Sequence, residues 1–234
     1  MNVVEPYIVA SLTSDTYSCI KGRGVGGFDR AMKKALRDVP GTKYCLKLDL
    51  RKFYDSVDHD ILKAQFRRKF KDPDLLWLID DIIDSVPKGV PIGNHTSQYF
   101  ANFNLSPLDH YLKEQLRAKY LFRYSDDIII LSDSKEYLHR ALALIREFLD
   151  VYLNLQIKSN YQIFPVDDRG IDVCGRVYFH GYTRLRKSIK QRFARAVAKK
   201  KPLKNIAPYW GWAKYCNSGH LMKKLFPEPQ QIAA

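Results

Sequence analysis

Two apolar runs, Tyr120 to Tyr124 and Ile128 to Leu131, are separated only by Ser125-Asp126-Asp127. Short runs rich in β-branched and aromatic residues, broken by so brief a polar stretch, predict a β-hairpin. A third run, Lys43 to Leu48, reads as a strand that closes on Asp49. A fold built on these strands carries three carboxylates at strand ends. Such carboxylates repel one another unless a cation lies among them. Mg²⁺, a hard ion that prefers oxygen ligands, suits them. Two ions about 4 Å apart can activate an attacking hydroxyl and stabilise a leaving phosphate oxygen, which is phosphoryl or nucleotidyl transfer. Asp-rich turns are also common, so on its own residues the tripeptide reads equally as an ordinary polar turn.

The rest of the chain alternates helices and strands. His59 to Phe70, Pro73 to Ser85, Ser97 to Ala118 and Asp133 to about Leu153 read as helices. Asp133 followed by Glu136 is a helix-start signal. Val86 to Ile92, with Pro87, Gly89 and Pro91, reads as loop. Tyr161 to Val166 and Ile171 to Phe179 read as strands, Arg184 to Lys201 as a basic helix, and Tyr209 to Leu225 as a last helical segment. The fold class is α+β. A boundary near Gly181 divides a body, residues 1–180, from a tail, residues 181–234.

Charge sharpens that division. The 55 residues from Val173 to Pro227 contain 14 Lys and Arg and no Asp or Glu. Removing those 14 from the 39 Lys and Arg of the chain leaves 25, equal to its 25 Asp and Glu. The whole excess of +14 therefore lies in the last quarter. A segregated basic region predicts a phosphate backbone as partner. Cys19, Cys45, Cys174 and Cys216 are far apart, with no CxxC pair, which argues against a zinc site or a disulfide framework. No apolar run is long enough to span a membrane, and residues 1–10 lack the pattern of a signal peptide. A soluble, intracellular protein is expected.

Three segments resemble the motifs of one family, the reverse transcriptases. Tyr124-Ser125-Asp126-Asp127 is similar to their YxDD box. Asp49-Leu50-Arg51-Lys52-Phe53-Tyr54 resembles their first catalytic motif, an acid followed by aromatics four and five positions on. Gly89-Val90-Pro91-Ile92-Gly93-Asn94-His95-Thr96-Ser97-Gln98 resembles the motif between the two. They stand in the family's order, 44 residues from Asp49 to Gly93 and 33 from Gly93 to Asp126. The resemblance implies a right-hand polymerase with a palm, partial fingers and a basic helical thumb. It implies two Mg²⁺ ions, with Mn²⁺ an alternative, held by Asp49, Leu50, Asp126 and Asp127, with the three aspartates catalytic. It also implies an RNA template, a DNA or RNA primer and dNTPs as partners, with no membrane.

Where most of the family has Gln-Gly…Ser-Pro, this chain has Ile92-Gly93…Ser97-Gln98. That variant resembles the reverse transcriptases of diversity-generating retroelements of bacteria and phages. These make error-prone cDNA in the cytoplasm of a bacterial host and work with a small basic accessory protein. A group II intron-like enzyme and a non-catalytic RNA-binding module descended from one are the alternatives. By position, Phe53 and Tyr54 are expected at the nucleotide, Tyr54 as the ring that excludes a ribose 2′-hydroxyl. Gly93 is expected where backbone passes close to the template–nucleotide pair, with Ile92 and Gln98 beside it. Ile92 replaces a hydrogen-bonding glutamine, a physical route to low fidelity. Lys158 falls in the motif after YxDD, where it would neutralise or protonate pyrophosphate. Arg23, or Lys21, stands in Cys19-Ile20-Lys21-Gly22-Arg23-Gly24, similar to the later fingers motif, and is expected at the triphosphate. The earlier fingers motif is missing. Asp172-Val173-Cys174-Gly175 is similar to the primer-grip turn. Arg184, Arg186, Lys187, Lys190 and Arg192 are expected to contact nucleic acid, and Trp210 and Trp212 to pack in the thumb.

Overall fold

The computed structural model describes residues 3–91 and 93–226. Ile92 lies outside them. The chain divides into two compact units, Met1–Pro165 and Val166–Ala234.

The first unit runs α1 (Glu5–Ala10), α2 (Gly24–Ala35), β1 (Tyr44–Asp49), α3 (Phe53–Ser56), α4 (His59–Lys69), α5 (Pro73–Asp84), α6 (His95–Asn104), α7 (Ser106–His110), β2 (Tyr120–Tyr124), β3 (Asp127–Ser132), α8 (Lys135–Phe148) and β4 (Gln162–Pro165). Its sheet has the order β2-β3-β1-β4, antiparallel throughout. β1 is therefore bonded on both flanks, and Leu46 and Leu48 on it are buried with Ile128 and Ile130 of β3. α8 covers the sheet with Leu138, Ala141, Leu142 and Ile145, a 3–4 spacing that keeps one face inward. Phe66 of α4 meets Phe100 and Phe103 of α6, each with ring centroids 4.8 Å away. Full burial of each such side chain contributes about 1.5–3 kcal/mol.

The helix starts follow local chemistry. Asp58 accepts from the Asp60 and Ile61 amides to cap α4, and Asp72 accepts from that of Leu75 to cap α5. Two expectations need correction. The single helix expected over residues 97–118 divides at Leu105, because Pro107 has no N–H to continue the ladder and begins α7 instead. α2 has no expected counterpart: Gly24, Gly26 and Gly27, poor helix formers, stand in its first turns.

The second unit runs α9 (Val166–Arg169), β5 (Ile171–Val173), β6 (Arg176–Phe179), β7 (Tyr182–Leu185), α10 (Lys187–Ala198), α11 (Leu203–Ala213) and α12 (Gly219–Leu225). Its three strands pair in the order β5-β6-β7. The expected strand over residues 171–179 is a hairpin. Cys174 and Gly175 form its two-residue turn, both at positive φ (47° and 76°), the pattern that matches strand twist. A Cβ on Gly175 would collide with the Trp212 ring, so Trp212 packs on this turn, whereas Trp210 is 49% exposed. Phe193 of α10 stacks on Tyr209 of α11 with centroids 5.5 Å apart.

The units part at Pro165, not near Gly181. A cut at Gly181 would separate β6 from β7, which pair across it. The basic helix expected from Arg184 begins at Lys187, and Arg184 lies in β7. The final segment is two helices, with Pro208 inside the first of them.

Candidate catalytic centre

The strand pairing brings the acids together. In the β1–β3 register Asp49 stands opposite Asp127, and in the β2–β3 register Tyr124 stands opposite Asp127. Ser125 and Asp126 form the connecting turn, with Ser125 in the left-handed region at φ 57°. A non-glycine residue there costs about 1–2 kcal/mol, so neighbouring contacts must hold it. Arg123 Nη1 donates to the Ser125 carbonyl at 3.2 Å.

The Asp126 carboxyl is pushed up to about 6, first by burial, then by its contact with the Asp49 carboxyl and the charges of Asp49 and Asp127. Two acids in such contact cannot both ionise cheaply. Asp49 Oδ2 accepts from Lys158 Nζ at 2.6 Å, while Asp49 Oδ1 is buried and meets no donor. The contact with Asp49 raises the Lys158 ammonium above the usual lysine range. The Lys158 amide also donates to the Asp49 carbonyl at 2.9 Å. Asp127 lies 3.7 Å from Lys47 Nζ. A cleft of about 90 Å³, lined by Lys47, Leu48, Asp49, Asp127, Asn160 and Gln162, opens beside these acids.

These residues fit a divalent cation in part. A buried Asp49 Oδ1 with no donor, beside an Asp126 carboxyl raised by burial and by Asp49, is a donor set that a divalent cation would relieve. Among the described residues no three His, Cys, Asp or Glu side chains are disposed to cage an ion alone. Mg²⁺ commonly takes one or two carboxylates and completes its shell with water and substrate phosphates. The Leu50 side chain is buried in the core, so only its main chain is left to serve as a ligand.

Other expected residues gather around this centre. Phe53 is buried, with its ring 5.5 Å from that of Tyr54, and Tyr54 Oη lies 3.5 Å from Ser125 Oγ. Tyr54 thus touches the acidic turn itself. Gly93 has φ 97°, but a Cβ there would meet no protein atom within 4 Å. The protein's own crowding is at Gly89, where a Cβ would strike the Tyr54 carbonyl and approach Asp55 Cα to 2.7 Å. Gln98 is exposed on α6. Arg23 donates through Nη1 to the Thr13 carbonyl at 2.6 Å and that of Thr16 at 3.0 Å, which commits this nitrogen to the fold.

In the second unit, Arg184 lies over the rings of Phe179 and Tyr182, and Arg186 Nε donates to Asp172 Oδ1 at 2.7 Å. Lys187, Lys190 and Arg192 are exposed on α10.

Sequence reasoning missed Arg123 and Asp109. Arg123 sits in the middle of β2 yet is wholly buried, as is Asp109. Its guanidinium also reaches Asn102 Oδ1 at 2.8 Å and Thr16 Oγ1 at 3.3 Å. A charge inside an apolar strand needs a buried partner, and that was the signal available.

The profile of the family "Reverse transcriptase (RNA-dependent DNA polymerase)" matches residues 4–160. No curated protein matches the sequence. Among solved structures, telomerase from Candida tropicalis with the TWJ fragment of telomeric RNA superposes with a TM-score of 0.64 at 11% identity, covering 97% of this chain and 47% of that one. Apo telomerase of the same species gives 0.61 at 12%, covering 96% and 50%. A form of it truncated from its C-terminal domain gives 0.56 at 14%, covering 78% and 42%. The chain thus spans at most half the length of these telomerases, and at such identity the likeness speaks for fold alone. The fold is of the reverse transcriptase kind, and with the family profile covering well over half of its residues, the chain belongs to the reverse transcriptases, the family of RNA-dependent DNA polymerases.

Proposed function

We propose that this chain extends a primer with dNTPs on an RNA template, with Asp49, Asp126 and Asp127 as its catalytic acids. The single observation that carries the reading is Asp49 standing opposite Asp127 across β1–β3 with the Asp126 carboxyl against it. When bound there, two Mg²⁺ ions would activate the primer 3′-hydroxyl and stabilise the leaving pyrophosphate oxygen. Asp49, Asp126 and Asp127, with the Leu50 main chain, would hold them. Mn²⁺ is an alternative occupant.

The chain's own residues do the rest. Lys158, 2.6 Å from Asp49, brings a positive charge to the place where phosphate charge develops. Tyr54, in contact with the acidic turn, presents a ring to the sugar and excludes the 2′-hydroxyl. Phe53 backs that ring. Gly93, Gln98 and Ile92 line the nucleotide by position in the sequence, and the guanidinium nitrogens of Arg23 beyond Nη1 would be left for the triphosphate.

The first unit serves as partial fingers and palm, the second as thumb. The share of this chain that superposes on C. tropicalis telomerase falls from 96% to 78% where the C-terminal domain is absent, which supports reading the second unit as the counterpart of that domain. Lys187 and Lys190, with Arg184 and Arg186 behind them, are read as the thumb's contacts to the primer–template duplex.

The Ile92…Gln98 variant favours error-prone cDNA synthesis in a diversity-generating retroelement of a bacterium or phage, with a basic accessory protein as a further partner and the bacterial cytoplasm as its place. Exchange of Ile92→Gln then lowers misincorporation opposite adenine, and an unchanged error spectrum refutes that refinement. The main reading is tested by primer extension on an RNA template with Mg²⁺. Wild type extends and Asp126→Ala does not. Tight RNA binding with no extension by wild type would establish the RNA-binding module instead.

A further inference from the structure

α10 carries two cationic faces. Successive residues of a helix turn by about 100°, so Lys187 and Lys190 project together, while Arg192, Arg195 and Lys199 project together roughly 140° away round the axis. The buried Phe193 and Ala196 lie on the side turned away from solvent, and the exposed Gln191 stands between Lys187 and Arg195. Sequence reasoning grouped Arg192 with Lys187 and Lys190, and the helix separates them.

The second face does not end at the helix. With Lys201 and Lys204 it lines a cleft of about 500 Å³ between α10 and the start of α11, floored in part by Tyr209. All five cations are exposed, and none forms an ion pair among the described residues. Arg195 and Lys199 gain from the C-terminal dipole of α10. Lys204 gains nothing of the kind. It stands in the first turn of α11, where a cation is disfavoured and where no acid is present. Five like charges converging on one concavity raise the free energy of the empty cleft, and a polyanion relieves it. Tyr209 is half-buried, with one face stacked on Phe193, and cations beside an aromatic ring are the combination that tracks single-stranded nucleic acid.

We propose that this cleft is a second phosphodiester site, which takes a single-stranded segment of RNA while the Lys187 face contacts the duplex. The proposal rests on the polymerase reading for the duplex contact only.

The test uses the full chain and two probes: an RNA–DNA hybrid duplex, and the same duplex whose RNA strand continues as an unpaired 5′ extension. The variant is Arg195→Gln/Lys199→Gln/Lys201→Gln/Lys204→Gln, all at exposed positions, with its thermal midpoint checked against wild type. Wild type is expected to bind the extended probe about tenfold more tightly than the plain duplex, with a steeper salt dependence. The variant is expected to bind the plain duplex as wild type does, to lose that gain, and to show a slope of log K against log salt lower by about 3 on the extended probe. Lys187→Gln/Lys190→Gln is expected to weaken both probes alike. Equal binding of the extended probe by wild type and the quadruple variant overturns the proposal. So does equal weakening of both probes by the quadruple variant, or polyglutamate occupying the cleft as tightly as RNA. If wild type extends no primer but the quadruple variant still loses the extension-dependent gain, the polymerase reading fails and this site stands.

Discussion

Arg123 Nη2 lies 2.7 Å from Asp109 Oδ2, and the two side chains are 0% and 1% exposed. The pair ties four segments together. Thr16 Oγ1 donates to Asp109 Oδ2 at 2.8 Å, Asn102 on α6 accepts from Arg123, and the Ser125 carbonyl receives a bond from the same guanidinium. The main chain joins in, with the Arg123 amide donating to the Asp15 carbonyl and the Tyr17 amide to that of Arg123. The strained residue ahead of Asp126 thus rests on an ion pair inside the protein.

Removing one member of such a pair leaves the other charged and dry. Arg123→Met is expected to destabilise by about 3–5 kcal/mol in urea unfolding, and Arg123→Met with Asp109→Leu to recover most of that loss. The double variant is nonetheless expected to extend primers poorly, because Ser125 has lost its donor. Full activity in the stable double variant would show that the pair serves stability alone.

The Asp126 carboxyl titrates near 6 in the folded chain against 3.8 for an ordinary aspartate. A raised carboxyl pKa contributes stability below the unfolded value that is lost as pH rises through the folded one. Metal-free wild type is therefore expected to lose roughly 1–2 kcal/mol relative to Asp126→Asn between about pH 4 and pH 6.5, less than the full shift because the half-exposed carboxyl is screened by solvent. Chemical unfolding in EDTA at several pH values measures the difference. A constant gap between the two proteins would contradict the raising of the Asp126 carboxyl by burial and by Asp49.

Lys158 Nζ donates to Asp49 Oδ2 at 2.6 Å. Lys158→Met is expected to lower the metal-free thermal midpoint slightly, by no more than about 1 kcal/mol in stability because the ammonium faces solvent. Added Mg²⁺ should then raise the midpoint of the variant by more than that of wild type, since ligand binding stabilises by mass action. Identical Mg²⁺ shifts in both proteins would remove Lys158 from the cation's surroundings.

Gly89 combines φ 77° with backbone on the side where a Cβ would stand, and the neighbouring Val90 amide donates to the Tyr54 carbonyl at 2.9 Å. Gly89→Ala is expected to cost about 2–4 kcal/mol, from left-handed strain plus overpacking. Because the clash is with the main chain of Tyr54, discrimination between dNTPs and rNTPs should weaken in the same variant. Competitive incorporation assays report this.

The acids were legible because apolar strands announce themselves locally and their polar ends stand out against them. The hairpin fixes the pairing of β2 with β3, but that β1 joins β3 and sets Asp49 opposite Asp127 is seen only in the structure. β7 was not legible: Tyr182 to Leu185 alternates exposed and buried residues, but four residues that include Arg184 and run into Arg186 and Lys187 read as the start of a charged helix. The Arg123–Asp109 pair depends on a contact between β2 and α7, and no spacing rule reports which distant acid a buried arginine will meet. Arg23 shows a different limit: the glycine-rich turn marks its cation, but only the fold shows that Nη1 is held by the Thr13 and Thr16 carbonyls.

The position of β1 between β3 and β4 has a further consequence. A strand bonded on both sides cannot slip, and inserting one residue among positions 44–49 would turn Asp49 to the opposite face of the sheet. Lengthening the connection between α5 and α6, or that between α8 and β4, leaves every strand partner where it is. Insertions and deletions among natural relatives of this chain should therefore spare the two central strands, β3 and β1, whose lengths stay fixed.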